Sequence, residues 1–226
     1  MKKPVMHRTK EIILASASPQ RRHLLRLTGL PFKVDPVQGE ENMDIHLSPR
    51  RLARILSGEK ARIAALKYCD ALIIAADTFI VFRHKVMGKP GSPAEAKKML
   101  TAISGKVHSV ITGFTIIDTL TGKKVSRSAE TKVYFNRLTV KEINAYVSTG
   151  EPMDKAGAYA IQGLGSVFIR RIEGDYFNVI GLPLNALKSC LSEFGITVSK
   201  RRNAHTKSGT RRHRAKYTPA FWTNQL

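Results

Sequence analysis

Four helix-start signals are set between short apolar runs in this chain, and that alternation constrains the fold more than any other feature. Ser18-Pro19 and Ser48-Pro49 each put an N-cap hydroxyl before a proline at the first helical position. "SPAE" (92–95) and "TVKE" (139–142) are capping boxes. They predict helices over 19–28, from 49 onward, 93–103 and 140–149. In the second, Leu52, Ile55, Leu56, Ile63 and Leu66 recur at helical spacing. The apolar runs read as strands: 11–15, an extended 32–36, and "ALIIA" (71–75) ending at Asp77, with 79–82 continuing past a bend. The segments 106–118 and 125–135 form a strand pair across "TLTGKK", "GSVFIRRIEG" is another strand, and "LPLNALKSCLSEFG" is a helix closed by Gly195. Strands alternating with helices, plus one antiparallel pair, define an α/β fold with a mixed sheet.

The chain has 226 residues, 42% of them hydrophobic, enough for one sizeable core or two lobes sharing a cleft. Its longest apolar runs, such as 71–76, fall far short of the roughly 18–20 residues of a membrane span. Lysines near the N-terminus have no apolar stretch behind them, so no signal peptide is expected. Cys69 and Cys190 lack metal-ligand spacing and read as reduced core thiols of a cytoplasmic protein. The formal net charge is +21, of which residues 200–226 supply +8 with no acidic residue, leaving +13 on residues 1–199. Both parts favour anionic partners such as nucleotides or RNA. The segment 200–226 has no apolar periodicity and reads as disordered until bound.

The stretch "LASASPQRRHLL" poses an electrostatic question. Arg21 and Arg22 stand in the first turn of a helix, where the macrodipole is already positive, at a cost of about 0.3–1 kcal/mol each. Exposed N–H groups, the hydroxyls of Ser16 and Ser18 and one or two arginines make a phosphate site; the alternative is that both arginines extend into solvent. Glu40 and Glu41 lie in the acidic loop "GEENMD" (39–44), and Asp77 stands at a strand end, with Lys60 and Lys89 between and beyond them. Carboxylates suit a divalent ion and water, lysines suit phosphates. "GKP" (88–90) is no Walker A motif, "GLG" (163–165) lacks a dinucleotide context, and neither HExxH nor GxSxG occurs. Tyr159, Phe168, Tyr176 and Phe177 read as core or cleft wall, His108 as structural, and Asp154 with Lys155 as either an ion pair or part of the site.

"IILASASPQRRHLL", "GEKA", "AADT", "GKP", "SGKVHSVITG", "TKVYF", "EINAYVSTGEPMDKAGAYAIQGLGSVFI" and "GDYFNVIGLPL" occur in the order found in the Maf family of nucleoside triphosphate pyrophosphatases. The chain resembles that family over about residues 11–195. This places a Maf-like domain at 11–199, between an N-terminal extension (1–10) and a basic tail (200–226). The resemblance implies an elongated mixed sheet flanked by helices, two lobes around a cleft, related to inosine triphosphate pyrophosphatases. It also implies cleavage between the α and β phosphates with Mg²⁺ or Mn²⁺. By motif, the catalytic residues are Asp77, as general base, with Glu41 and Lys89; Glu41 and Asp77 are the metal ligands, Glu41 being a metal or water partner, and Lys60, Lys89, Ser16 and Arg21 contact phosphates. Together with Ser18 and Gln20 they form the expected site.

Thr78 and Gln162 follow the branch of the family that prefers dTTP and UTP, and a Gln side chain offers the donor and acceptor that an imide face needs. Gln20 departs from that branch, where "SPRR" is common, and His23 stands where a glutamate is common. The alternatives are the N7-methyl-GTP branch, or a nucleic-acid-binding or septum-regulating protein acting through the basic tail. Expected partners are the nucleotide, a second copy in a homodimer, nucleic acid only through 200–226, and no membrane.

Overall fold

The computed structural model describes residues 10–37 and 47–198. Its seven strands form one mixed sheet in the order β2-β1-β3-β5-β6-β7, with β4 on the end of β3. β1 (Glu11–Leu14) is parallel to β2 (Lys33–Val34) and to β3 (Ala71–Phe82). β4 (Lys85–Met87), β5 (Val107–Asp118), β6 (Lys124–Phe135) and β7 (Ile169–Glu173) join it antiparallel. The mixed α/β sheet expected from the sequence is present.

Pairing divides one edge of β3. β5 occupies the other edge from Leu72↔Asp118 to Val81↔Ser109. That leaves a single edge for β1, which takes residues 71–74, and for β4, which takes 80–82. Among the described residues no strand covers 75–79, so the sheet forks there.

Alternation along β3 sorts its side chains between two layers. Ile73, Ala75 and Phe79 face α2 (Pro49–Ala65), against Ala61 and Ala64 at one end and Leu52, Ala53 and Leu56 at the other. Leu72, Ile74 and Ala76 face Leu24 and Leu25 of α1 (Pro19–Arg26) and Leu187 and Leu191 of α6 (Leu184–Ser192). Ile80 packs with α3 (Pro93–Ile103) and α4 (Val140–Ser148). The short α5 (Tyr176–Ile180) bridges these last two cores, giving Phe177 and Ile180 to one and Val179 to the other.

Several expectations are corrected. β3 runs unbroken to Phe82, so Asp77 lies inside a strand and not at its end, because β5 pairs continuously behind it. In α2 the buried face is small: Ala53, Ser57, Gly58, Ala61 and Ala64 join Leu52 and Leu56, while Ile63 is half-buried and Leu66 exposed. Gly113 explains it, since a Cβ there would sit 2.1 Å from the Ala53 carbonyl oxygen; α2 rests backbone-to-backbone on the sheet.

Helix termini differ in detail. Ser48 caps α2 without a side-chain hydrogen bond, and Glu95 accepts from Gly91 N instead of the cap residue's N–H; of the two expected capping boxes, the one of Thr139 and Glu142 closes fully. The first helix ends at Arg26 and the last spans 184–192, both short of the expected limits. "GSVFIRRIEG" begins as a 3₁₀ helix (Leu164–Phe168) before β7.

Candidate active site

The open edge of β3 is one wall of a cleft of about 500 Å³. Asp77 and Thr78 are neighbours in sequence and point to opposite faces of the sheet, yet both line the cleft, because it wraps around an uncovered strand edge. Asp77 is only 3% exposed. Lys60 of α2 donates to its Oδ1 at 2.5 Å, while among the described residues Oδ2 has no hydrogen-bond partner. Gly113, opposite Asp77 in the ladder, is what lets α2 approach closely on this face.

On the other face, Arg21 occupies a fork of acceptors. Its Nε donates to the Gly181 carbonyl at 2.9 Å, one terminal nitrogen to Thr78 Oγ1 at 2.9 Å and the other to Ser16 Oγ at 3.2 Å. Gly181 is the C-cap of α5, in a positive-φ conformation (φ 125°), and its carbonyl oxygen offsets the arginine's position in the first turn of α1. A ladder of polar contacts backs the fork: Thr78 Oγ1 meets Thr112 Oγ1 at 3.0 Å, and Thr112 donates to the Asn178 carbonyl at 2.9 Å. Arg22 is exposed and outside the cleft lining, so the two arginines have different fates.

The loop before α1 closes the near rim. Ser18 Oγ caps Arg21 N at 3.4 Å and donates to Gln20 Oε1 at 3.1 Å, and Ser18 N donates to Ser16 Oγ at 3.3 Å. The far rim carries Lys89, the ion-paired Asp154 and Lys155, and Gln162. Beneath it, Tyr159 meets the buried His108 Nε2 at 2.8 Å, and both rings pack edge-on against Phe135. Burial holds the His108 imidazole down at about 4, so it is neutral at pH 7, in keeping with a structural role.

Nine of the ten residues that the sequence marks as site residues line this one cleft: Ser16, Ser18, Gln20, Arg21, Lys60, Asp77, Thr78, Lys89 and Gln162. Glu41 lies outside the described residues. Sequence reasoning missed Gly181, whose contribution is a backbone carbonyl, and left Lys155 undecided; it lines the cleft. No group of three His, Cys, Asp or Glu among the described residues could hold a metal ion. The buried, unpartnered Oδ2 of Asp77 nevertheless fits a cation that takes most of its ligands from phosphate and water.

A model of the family described as "Maf-like protein" matches residues 11–194, and the chain belongs to that family. A dTTP/UTP pyrophosphatase of Moorella thermoacetica is 47% identical over 188 residues, spanning 83% of this chain and 97% of that protein. One of Alkaliphilus oremlandii is 49% identical over 176 residues, 77% of this chain and 91% of its own length. Among solved structures, a HAM1 protein from Coxiella burnetii superposes with a TM-score of 0.48 at 17% identity, covering 81% of this chain and 99% of that one. No described helix is long and apolar enough to cross a membrane.

Proposed function

We propose that this chain is a nucleoside triphosphate pyrophosphatase that acts on dTTP, UTP and modified pyrimidine analogues, releasing the monophosphate and pyrophosphate and so cleansing the nucleotide pool. The observation that carries this reading is a buried Asp77, one carboxylate oxygen of which has no partner among the described residues, on the wall of a cleft that Arg21, Lys60 and Lys89 also line. The relatives' shared name supports the substrate class.

Lys60 holds Asp77 Oδ1, which leaves Oδ2 to accept a proton from water and to orient that water toward the α-phosphorus. The water oxygen bonds phosphorus, and the α–β bridging oxygen leaves with pyrophosphate. Lys89 and Arg21 meet the charge that grows on the leaving group. Asp77, with Glu41, would hold a divalent cation, which supplies further charge for the phosphates when bound. Gln162 addresses the imide edge of the base from the far rim. The test is release of pyrophosphate from a panel of triphosphates with Mg²⁺ or Mn²⁺, run beside Asp77→Asn.

A further inference from the structure

Gln162 is exposed on the cleft rim, and among the described residues no hydrogen bond holds its side chain. Its position therefore depends on the backbone that carries it. That backbone is tied on both sides to a single pair of side chains beneath the rim. Tyr146 OH accepts from Ala160 N at 3.2 Å and donates to Glu151 Oε1 at 2.9 Å. Glu151 in turn accepts from Gly165 N on Oε1 and from Leu164 N on Oε2, each at 3.0 Å.

The loop also packs closely against this pair. A Cβ at Gly163 would lie 2.7 Å from Glu151 Oε2, and the residue's φ of +109° already favours glycine. A Cβ at Gly165 would lie 2.5 Å from Tyr146 OH and 2.8 Å from the Ala160 carbonyl oxygen. Tyr146 is itself fixed, buried in the α4 core with its ring edge-on to Phe168 at 5.0 Å. Burial pushes the Glu151 carboxyl up, but the two amides, the phenol and the Lys155 charge outweigh it and hold it below its ordinary value. At pH 7 the hub is an ionised carboxylate with its donors in place.

We infer that Glu151 and Tyr146 are positioning residues for base selection: together they fix the loop 160–165 so that Gln162 meets the base in one orientation. This rests on the pyrimidine reading above. Neither residue lines the cleft, so neither touches the nucleotide. Their effect is on where Gln162 stands.

The test compares kcat/KM for dTTP with that for GTP in the wild-type chain, Glu151→Gln, Tyr146→Phe and Ile143→Val, with the thermal midpoint of each. Ile143→Val trims the same α4 core, and Ile143 makes none of the hub's hydrogen bonds. The expected result is a dTTP-to-GTP ratio lowered roughly ten-fold in both hub variants, through KM for dTTP more than kcat, and unchanged in Ile143→Val. Should Glu151→Gln fail to fold, Tyr146→Phe keeps the ring packing and carries the comparison alone. Hub variants that lose stability but keep the wild-type ratio would overturn the inference alone. A wild-type chain that turns over both nucleotides equally would overturn the pyrimidine reading, and the inference with it.

Discussion

Lys60 and Asp77 meet at 2.5 Å on the side of the sheet that α2 covers, and the other carboxylate oxygen, itself buried, has no hydrogen-bond partner among the described residues. A buried carboxylate with one oxygen neutralised and the other without a partner is poor packing. It is a sound arrangement for handling a water molecule. The Lys60 side chain, 14% exposed, belongs to both the fold and the site.

Replacing Lys60 by Met keeps the aliphatic stem and removes the charge. Asp77 then stays buried without this cation, and removing one partner of a buried pair costs about 3–5 kcal/mol. Urea unfolding at pH 7 should show a loss of that order, and turnover should fall with it.

The Arg21 fork predicts that its geometry matters as well as its charge. Arg21→Lys cannot reach Gly181 O, Thr78 and Ser16 together, so KM for the nucleotide should rise roughly ten-fold or more. Arg22→Ala, exposed and outside the cleft lining, should stay within about two-fold of wild type. Steady-state kinetics on the two variants checks both statements.

Gly113→Ala tests the close seat of α2. A methyl 2.1 Å from a helix carbonyl forces the helix off the sheet, which should cost about 3 kcal/mol. Because Lys60 rides on that helix, activity should drop more than in a core variant of equal instability. Chemical denaturation and turnover, measured on the same sample, decide it.

His108 sets a pH dependence. Burial lowers its imidazole from 6.5 to about 4, so between those values the unfolded chain binds the proton and the folded one does not. The stability of the neutral, buried form is therefore complete above about pH 6.5 and lost as pH falls toward 4, by about 3 kcal/mol in all. A His108→Gln variant should show a flatter stability profile across that window; a slope equal to wild type would assign the loss to other groups.

Much of this site is legible in the sequence, because capping signals and the order of short motifs are local properties. "IILASASPQR" holds the end of a strand, a cap and a helix start, and so places Ser16, Ser18 and Arg21 on one rim before any tertiary contact is known. What depends on packing is not legible. Asp77 reads as a strand end because an acid seldom sits inside a strand; only the fork in the sheet shows how it can. The small buried face of α2 hides behind Ile63 and Leu66, whose spacing is right but whose faces are not against the sheet. Gly181 acts through a carbonyl and Glu151 through backbone amides, contacts that no residue pattern encodes.

Pyrophosphate release from dTTP and UTP, with Mg²⁺ or Mn²⁺ and with chelator, by the wild-type chain and Asp77→Asn tests the role of Asp77 and the pyrophosphatase activity together. The wild type should turn over both nucleotides in a metal-dependent way. In the variant turnover should fall about 10²–10⁴-fold while cooperative unfolding is retained. Turnover in Asp77→Asn equal to wild type would contradict that role, and none by the wild-type chain on any triphosphate would contradict the activity.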